Sequence, residues 1–302
     1  MNSNRFRLIR ELFKRILPRS TITYLQIREN KRRLDKIKSY GLLDEKHFTH
    51  IIKESLNIQS GDNIFVHSSL DSLQISFPPQ RLIAILKEQV GKEGTIVMPS
   101  FSGISHDFLK NKVEFNVRRT PSQSGIISEI FRRNPDSIRS LHPTKSVVAC
   151  GPLAEAITNE HHKDKYPFGQ KSPFYKMIKN DFVVVGLGVT TSILSLVHCV
   201  EDMMKDEFPV RVMHNSLFES KCINTNGEEV QVPTFAHNMF KINHNIPKYI
   251  NKNFGNNIDR VFFGRNFYKI SSESLYTNMR NNANNGKTIY PFYSYKFKRL
   301  LG

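Results

Sequence analysis

The stretch Phe182–Asp202, FVVVGLGVTTSILSLVHCVED, joins a saturated apolar run to a Gly-Leu-Gly turn, a patch of hydroxyls, and a segment carrying His198 and Glu201. A short run of β-branched residues with no polar alternation is what a strand buried on both faces requires. The segment after it has helical spacing: Leu196, Val197, Val200, Met203 and Met204 gather on one face, and His198, Glu201, Asp202 and Lys205 on the other. The same strand-then-helix unit recurs upstream. NIFVHSSL precedes QRLIAILKEQV, GTIVMPSFSG precedes SGIISEIFRRN, and SVVACG precedes a helical patch from Leu153 to Ile157. This alternation predicts an α/β fold, with helices on the faces of a mixed, largely parallel sheet.

Beyond Pro209 the chain turns β-rich. KCINTNGEEVQV reads as a hairpin around Asn226-Gly227, DRVFFGRNFYKIS as further strands, and the asparagine-rich NMRNNANNGK as a loop. At the other end, RFRLIRELFKRILPR repeats Phe6, Ile9, Phe13 and Ile16 at helical spacing and stops at Pro18. A basic amphipathic helix results, suited either to an anionic membrane surface through residues 5–17 or to packing on its own domain or a second subunit. The chain thus divides into a basic helical extension, residues 1–40, and a domain over residues 41–302.

The 302 residues carry a net charge of +17, and twelve lysines and arginines against three acidic residues precede residue 39. Such a field concentrates anions. No recognised nucleic-acid module accompanies it, so nucleic acid is not an expected partner. Cys150, Cys199 and Cys222 show no CxxC spacing and read as reduced thiols of a cytoplasmic protein, with peripheral contact at the inner membrane face as a variant. No apolar stretch reaches the ~20 residues that span a bilayer.

In sheets of this kind ligands bind beyond the carboxyl ends of the strands. The polar residues expected there are His67, Ser68 and Ser69, then Ser100 and Ser102, then Arg139, Ser140, His142 and Ser146, and finally Thr190, Thr191, Ser192 and His198. Gly186-Leu187-Gly188 has neither a third glycine at dinucleotide spacing nor a following acidic residue, and marks a tight strand-to-helix turn. His198 and Glu201 lack the second histidine of HExxH, and His161-His162-x-Asp164 stands in a charged loop where solvation is the ordinary explanation, so no metal is expected. Cys199, adjacent to His198, faces elsewhere on a helix and cannot form a thiol–imidazole pair with it. His198 and Glu201, one turn apart, suit either a carboxylate-oriented imidazole acting as a base or a polar helix face in water.

Several segments in order, VHSSLDSL, GTIVMPSFS, PSQSGIISEIFRRNPDSIRSLHPTKSVVACGPLAEAI, PFGQKSPFYKMI and VVVGLGVTTSILSLVHCVED, resemble the aminoglycoside 3-N-acetyltransferase family over roughly residues 60–202. The resemblance implies a three-layer α/β/α domain that binds acetyl-CoA as cosubstrate and passes the acetyl group directly from the thioester to an amine, with no metal. It also implies His198 as general base with Glu201 orienting it, and Ser68, Ser69, His142 and Ser146 at the coenzyme site. Arg139 is added to that site from its charge, as a phosphate partner. Individually, Ser68 and Ser69 also suit a strand end, and His142 before Pro143 a packed turn.

Drug-modifying members resemble one another in an acidic residue six positions before the histidine and an Asn-Thr just ahead of it. Here Ser192, Leu194 and Ser195 stand instead. With the positive net charge, that departure favours an anionic acceptor: an amino sugar, nucleotide-linked or in a glycan, of surface-polysaccharide biosynthesis. An aminoglycoside acceptor is the alternative, a non-enzymatic basic protein binding membrane or nucleic acid the second, and homo-oligomerisation is left open.

Overall fold

Strand β1 (Ile64–Ser68) sits at the centre of a seven-stranded sheet between two parallel neighbours, paired along its whole length on one side and at Ile64 and Phe65 on the other. The computed structural model describes residues 37–103, 114–237 and 244–290, with individual positions from 24 to 35. Two compact units divide the chain, residues 1–42 and 43–302. In the first, the described positions from Tyr24 to Lys38 are helical. The amphipathic stretch at residues 5–17 lies outside the described residues.

In the second unit, α1 (Glu45–His50) precedes β1, and α2 (Leu70–Leu73), α3 (Pro79–Val90), β2 (Ile96–Pro99) and β3 (Phe115–Asn116) follow. Next come α4 (Ile126–Arg132), β4 (Ile138–Arg139), β5 (Val147–Cys150), α5 (Ala154–Thr158), α6 (Pro173–Lys179), β6 (Val183–Leu187) and α7 (His198–Met204). The remainder is β7 (Phe218–Ile223), β8 (Glu229–Thr234), α8 (Ile246–Phe254), β9 (Asp259–Phe262), β10 (Arg265–Ser271) and α9 (Ser272–Asn284).

The large sheet runs β4-β5-β2-β1-β6-β10-β9. Parallel pairing is confined to its centre, β2-β1-β6, and both flanks pair antiparallel. The right flank is closed by a two-residue connection, Phe263-Gly264, both at positive φ, which is the geometry that returns a strand directly on its neighbour. A small second sheet, β3-β7-β8, contains the hairpin anticipated at Asn226-Gly227.

Alternation along the central strands sorts side chains into two layers. Phe65, Val97 and Val184 face Phe174 and Met177 of α6, Val200 of α7 and Leu275 and Met279 of α9. Ile64, Val66, Ile96, Met98 and Val185 face Leu82 and Leu86 of α3 and Ile127 and Phe131 of α4. The result is a three-layer α/β/α arrangement, in which each fully buried aliphatic or aromatic side chain contributes on the order of 1.5–3 kcal/mol. Among the described residues no helix is long and apolar enough to cross a membrane.

One expected loop is a helix. NMRNNANNGK falls largely within α9, whose Leu275, Tyr276, Met279 and Ala283 form a buried stripe one helical turn apart. The Ser271 hydroxyl caps it by accepting from Ser274 N. Its Asn282 amide donates to Tyr249 Oη, Asn253 Oδ1 and Asn278 Oδ1, so these asparagines tie α9 to α8 rather than interrupt it.

The Gly-Leu-Gly turn is likewise a packing device. Gly186 pairs across the ladder with Tyr268, and a Cβ there would lie 2.1 Å from the Tyr268 ring. Gly188 has φ +73° and approaches the Ser69 carbonyl, where a Cβ would sit at 2.8 Å. Gly186→Ala is therefore expected to destabilise the fold by about 1–3 kcal/mol through overpacking. Denaturant unfolding should show this cost shrinking when the same substitution is added to Tyr268→Leu.

Candidate active site

β1 and β6 end side by side, with Ser68 opposite Leu187, and the chain leaving β6 passes through two 3₁₀ turns before α7 begins at His198. Asp259 fixes this connection by accepting from Thr191 N and Thr191 Oγ1, both at 2.8 Å. A buried chain of polar groups fixes it from below. Tyr268 Oη lies 3.1 Å from His67 Nδ1, and His67 Nε2 lies 3.0 Å from Ser195 Oγ. Burial pushes the His67 imidazole down to about 3, so it serves here as a neutral connector.

The polar face of α7 points inward. His198, Glu201 and Asp202 are all buried, which excludes the solvated helix face that their spacing left open. His198 Nδ1 lies 2.9 Å from Glu201 Oε2, while His198 Nε2 has no hydrogen-bond partner among the described residues. Glu201 Oε1 accepts from Tyr290 Oη at 2.7 Å. His237 Nε2 completes the cluster, 3.4 Å from Glu201 Oε2 and 3.2 Å from Asp202 Oδ1. These are ion-pair distances off hydrogen-bond alignment. Asp202 Oδ2 accepts from Phe168 N at 2.8 Å, and the Phe168 ring packs against both His198 and His237.

Charges in this cluster hold one another in place. Burial alone would raise the Glu201 carboxyl, but His198 and His237 outweigh it and keep it below the usual carboxylate range. Asp202 is raised by burial, an effect His237 opposes. His237 would be lowered by burial, yet Asp202 and Glu201 lift it to about 9. Burial and the adjacent Glu201 push Tyr290 up, so its proton stays on the oxygen. At neutral pH the cluster thus holds an imidazolium beside a carboxylate whose Oε2 also orients His198.

His198, Glu201 and His237 are also the one group of possible metal donors among the described residues, with ligand atoms within 4.8 Å of one another. Two imidazoles and a carboxylate suit zinc by type. Here Glu201 Oε2 already holds His198 Nδ1, and the imidazolium of His237 supplies the positive charge that an ion would otherwise bring.

The expected coenzyme residues divide sharply. Ser68 is half-buried at the carboxyl end of β1 and its hydroxyl has no partner among the described residues. Ser69 is committed as the cap of α2, where its hydroxyl meets Ser72 N and Ser72 Oγ. His142, Ser146 and Arg139 are each buried and hydrogen-bonded within the fold. His142 Nδ1 accepts from Thr144 N and Lys145 N, and its Nε2 meets Thr234 Oγ1 at 3.2 Å. Ser146 Oγ donates to Ser100 O and accepts from Arg139 Nε. Arg139 further donates to the carbonyls of Val117, Thr120 and Ser100, clamping β4 to β2 and the loop after β3.

His161, expected in solvent, is fully buried and stacks on His142 at 4.3 Å between ring centroids. Burial keeps both rings neutral, His161 at about 3 and His142 well below its ordinary value. Cys199 and Cys222 are buried free thiols, and Cys150 is half-buried. Two members of the cluster carried no sequence signal. His237 follows a hairpin strand with no motif around it, and Tyr290 lies past an asparagine-rich stretch.

The family model described as aminoglycoside 3-N-acetyltransferase matches residues 65–256. Aminoglycoside N(3)-acetyltransferase III of a Salmonella species is 29% identical over 163 residues, spanning 49% of this chain and 57% of that protein. Aminoglycoside N(3)-acetyltransferase IV, also of Salmonella, is 31% identical over 159 residues, spanning 52% of this chain and 58% of that protein. The chain thus spans little more than half the length of these curated relatives. Among solved structures, aminoglycoside acetyltransferase AAC(3)-Xa superposes with a TM-score of 0.69 at 20% identity, covering 85% of this chain and 99% of the other. AAC-IIIb, solved as a binary complex with CoASH, gives 0.66 at 18% identity, covering 82% and 98%. At such identities the structures speak for the fold.

These relatives overturn the anionic amino-sugar acceptor of polysaccharide biosynthesis that net charge favoured. Net charge sums over the whole chain, with twelve lysines and arginines against three acidic residues before position 39, and so does not report the charge at His198, where Glu201 is the direct partner.

The His237 imidazolium gives the fold a testable pH limit. Its folded pKa of about 9 exceeds the ordinary 6.5, so its stabilisation is complete below 6.5 and is lost as pH rises through about 9. The thermal midpoint of the wild type should fall across that window. His237→Gln should start lower, by about 3–5 kcal/mol for a broken buried pair, and show a flatter alkaline decline.

Proposed function

Because the chain belongs to the aminoglycoside 3-N-acetyltransferase family, we propose that it transfers an acetyl group from acetyl-CoA to an amine of an aminoglycoside. Residues 41–302 carry this activity, with residues 1–40 as an extension. The observation that supports it most is the His198–Glu201 pair, buried on α7 beyond the end of β6, with Nδ1 held by the carboxylate and Nε2 left without a partner.

Acetyl-CoA supplies an activated thioester carbonyl when bound. The fit of this chain to it rests on Ser68, whose unpartnered hydroxyl stands at the end of the central strand, available to donate to a developing oxyanion. His198 Nε2 takes the proton from the attacking amine as the nitrogen–carbon bond forms, and the resulting imidazolium keeps its Nδ1 proton on Glu201 Oε2. Tyr290 and His237 keep that carboxylate charged and fixed, so the tautomer presenting Nε2 as an acceptor persists between turnovers. The proton then leaves His198 as the thiol departs or passes to water, restoring the base.

His198→Ala should lower acetyl transfer by about 10²–10⁴-fold, the usual contribution of a positioned base. Acetyl-CoA consumption with gentamicin as acceptor measures this, with CoA binding by calorimetry as the control for folding. Turnover by the variant at the wild-type rate, or CoA binding without any acetylation by the wild type, removes the proposed base or the proposed acceptor respectively.

A further inference from the structure

A cleft of about 670 Å³ opens along the outer edge of the sheet, lined by Arg118, Arg119, Arg132, Arg133, Arg139 and Thr225. It is built from the loop after β3, the end of α4, strand β4 and the β7–β8 turn. None of its lining residues belongs to the His198 cluster. Strand β4 is outermost and β6, which leads to His198, is four places inward, or roughly 19 Å at ordinary strand spacing.

Five guanidinium groups around one void repel one another, and the described carboxylates do not balance them. Glu129 alone pairs with the arginines, accepting from Arg132 Nε at 2.8 Å and Nη2 at 2.7 Å and from Arg133 Nε at 2.8 Å. Arg139 has only neutral acceptors, carbonyls and the Ser146 hydroxyl. Burial, and then the charge of Arg132, push it down to about 9. Arg118 and Arg119 are exposed and have no ion-pair partner among the described residues. The other nearby acids are taken up elsewhere: Asp136 by Lys87, Glu229 by Lys221, and Glu228 by Asn224.

We propose that this cleft is a binding site for a pyrophosphate- or bisphosphate-bearing small molecule, gripped by Arg118 and Arg119 and backed by Arg132 and Arg133. Guanidinium forks match phosphate oxygens two at a time, and a polyanion offsets the mutual repulsion of the clustered arginines. The volume is that of an ordinary small-ligand pocket. The phosphates come either from the coenzyme's own nucleotide end or from a separate phosphorylated metabolite. The site stands independently of the acetyl-transfer reading.

Calorimetric titration of the full chain with inorganic pyrophosphate tests it. Binding is expected in the wild type, weakened by roughly tenfold or more in Arg118→Ser/Arg119→Ser, as for the loss of at least one charge-assisted hydrogen bond. Partial recovery is expected in Arg118→Lys/Arg119→Lys, since lysine keeps the charge and loses the fork. No binding by the wild type, or equal binding by the serine pair with unchanged circular dichroism, overturns the proposal. If CoA competes with pyrophosphate the site takes the coenzyme's phosphates, and if both bind together it takes a separate ligand.

Discussion

The Glu201 carboxylate is sealed from water yet remains charged, because each oxygen has an assigned partner: Tyr290 on Oε1, and His198 with His237 on Oε2. An isolated carboxylate at that depth would take up a proton, and a neutral Glu201 would no longer dictate which nitrogen of His198 carries hydrogen. The three partners come from α7, from the segment after β8 and from the segment after α9. Local helix geometry sets only the His198 contact. The other two depend on the whole domain having closed around α7.

β1 plays the corresponding part for the backbone. Its His67 ties Tyr268 of β10 to Ser195, three residues before His198, while its last residue presents the one uncommitted serine hydroxyl of the HSSL motif. The strand that forms the middle of the core therefore also sets the height of the imidazole. Packing and chemistry meet in one element, and for that reason the glycine at position 186 and the tyrosine ring above it matter beyond stability.

Much of the central layer was legible because strand and helix periods differ and the chain alternates between them from residue 62 to 204. The His198–Glu201 pair was legible for the same reason, since helical spacing makes them neighbours wherever the helix lies. Which way that face points was not, because inward or outward placement is decided by α9 and the segment around Tyr290, and α9 read as a loop on its asparagine content. The internal hydrogen bonds of His142, Ser146 and Arg139 were not legible: position at a strand end says nothing about whether a polar side chain faces a ligand or a neighbouring carbonyl. Net charge misled in a similar way, since a sum over the chain has no location.

Three imidazoles, His67, His142 and His161, lie in the interior as uncharged rings. Each is a latent cation. Once unfolded, they accept protons near pH 6.5, whereas folded His67 and His161 refuse them until about 3. Acidification below 6.5 therefore draws the equilibrium toward the open chain, and the stacked His142–His161 pair is the worst placed to resist, because two neighbouring rings cannot both charge without separating. Acid thus lowers the stability of the fold by proton uptake in the unfolded chain alone, with every residue of the catalytic cluster intact.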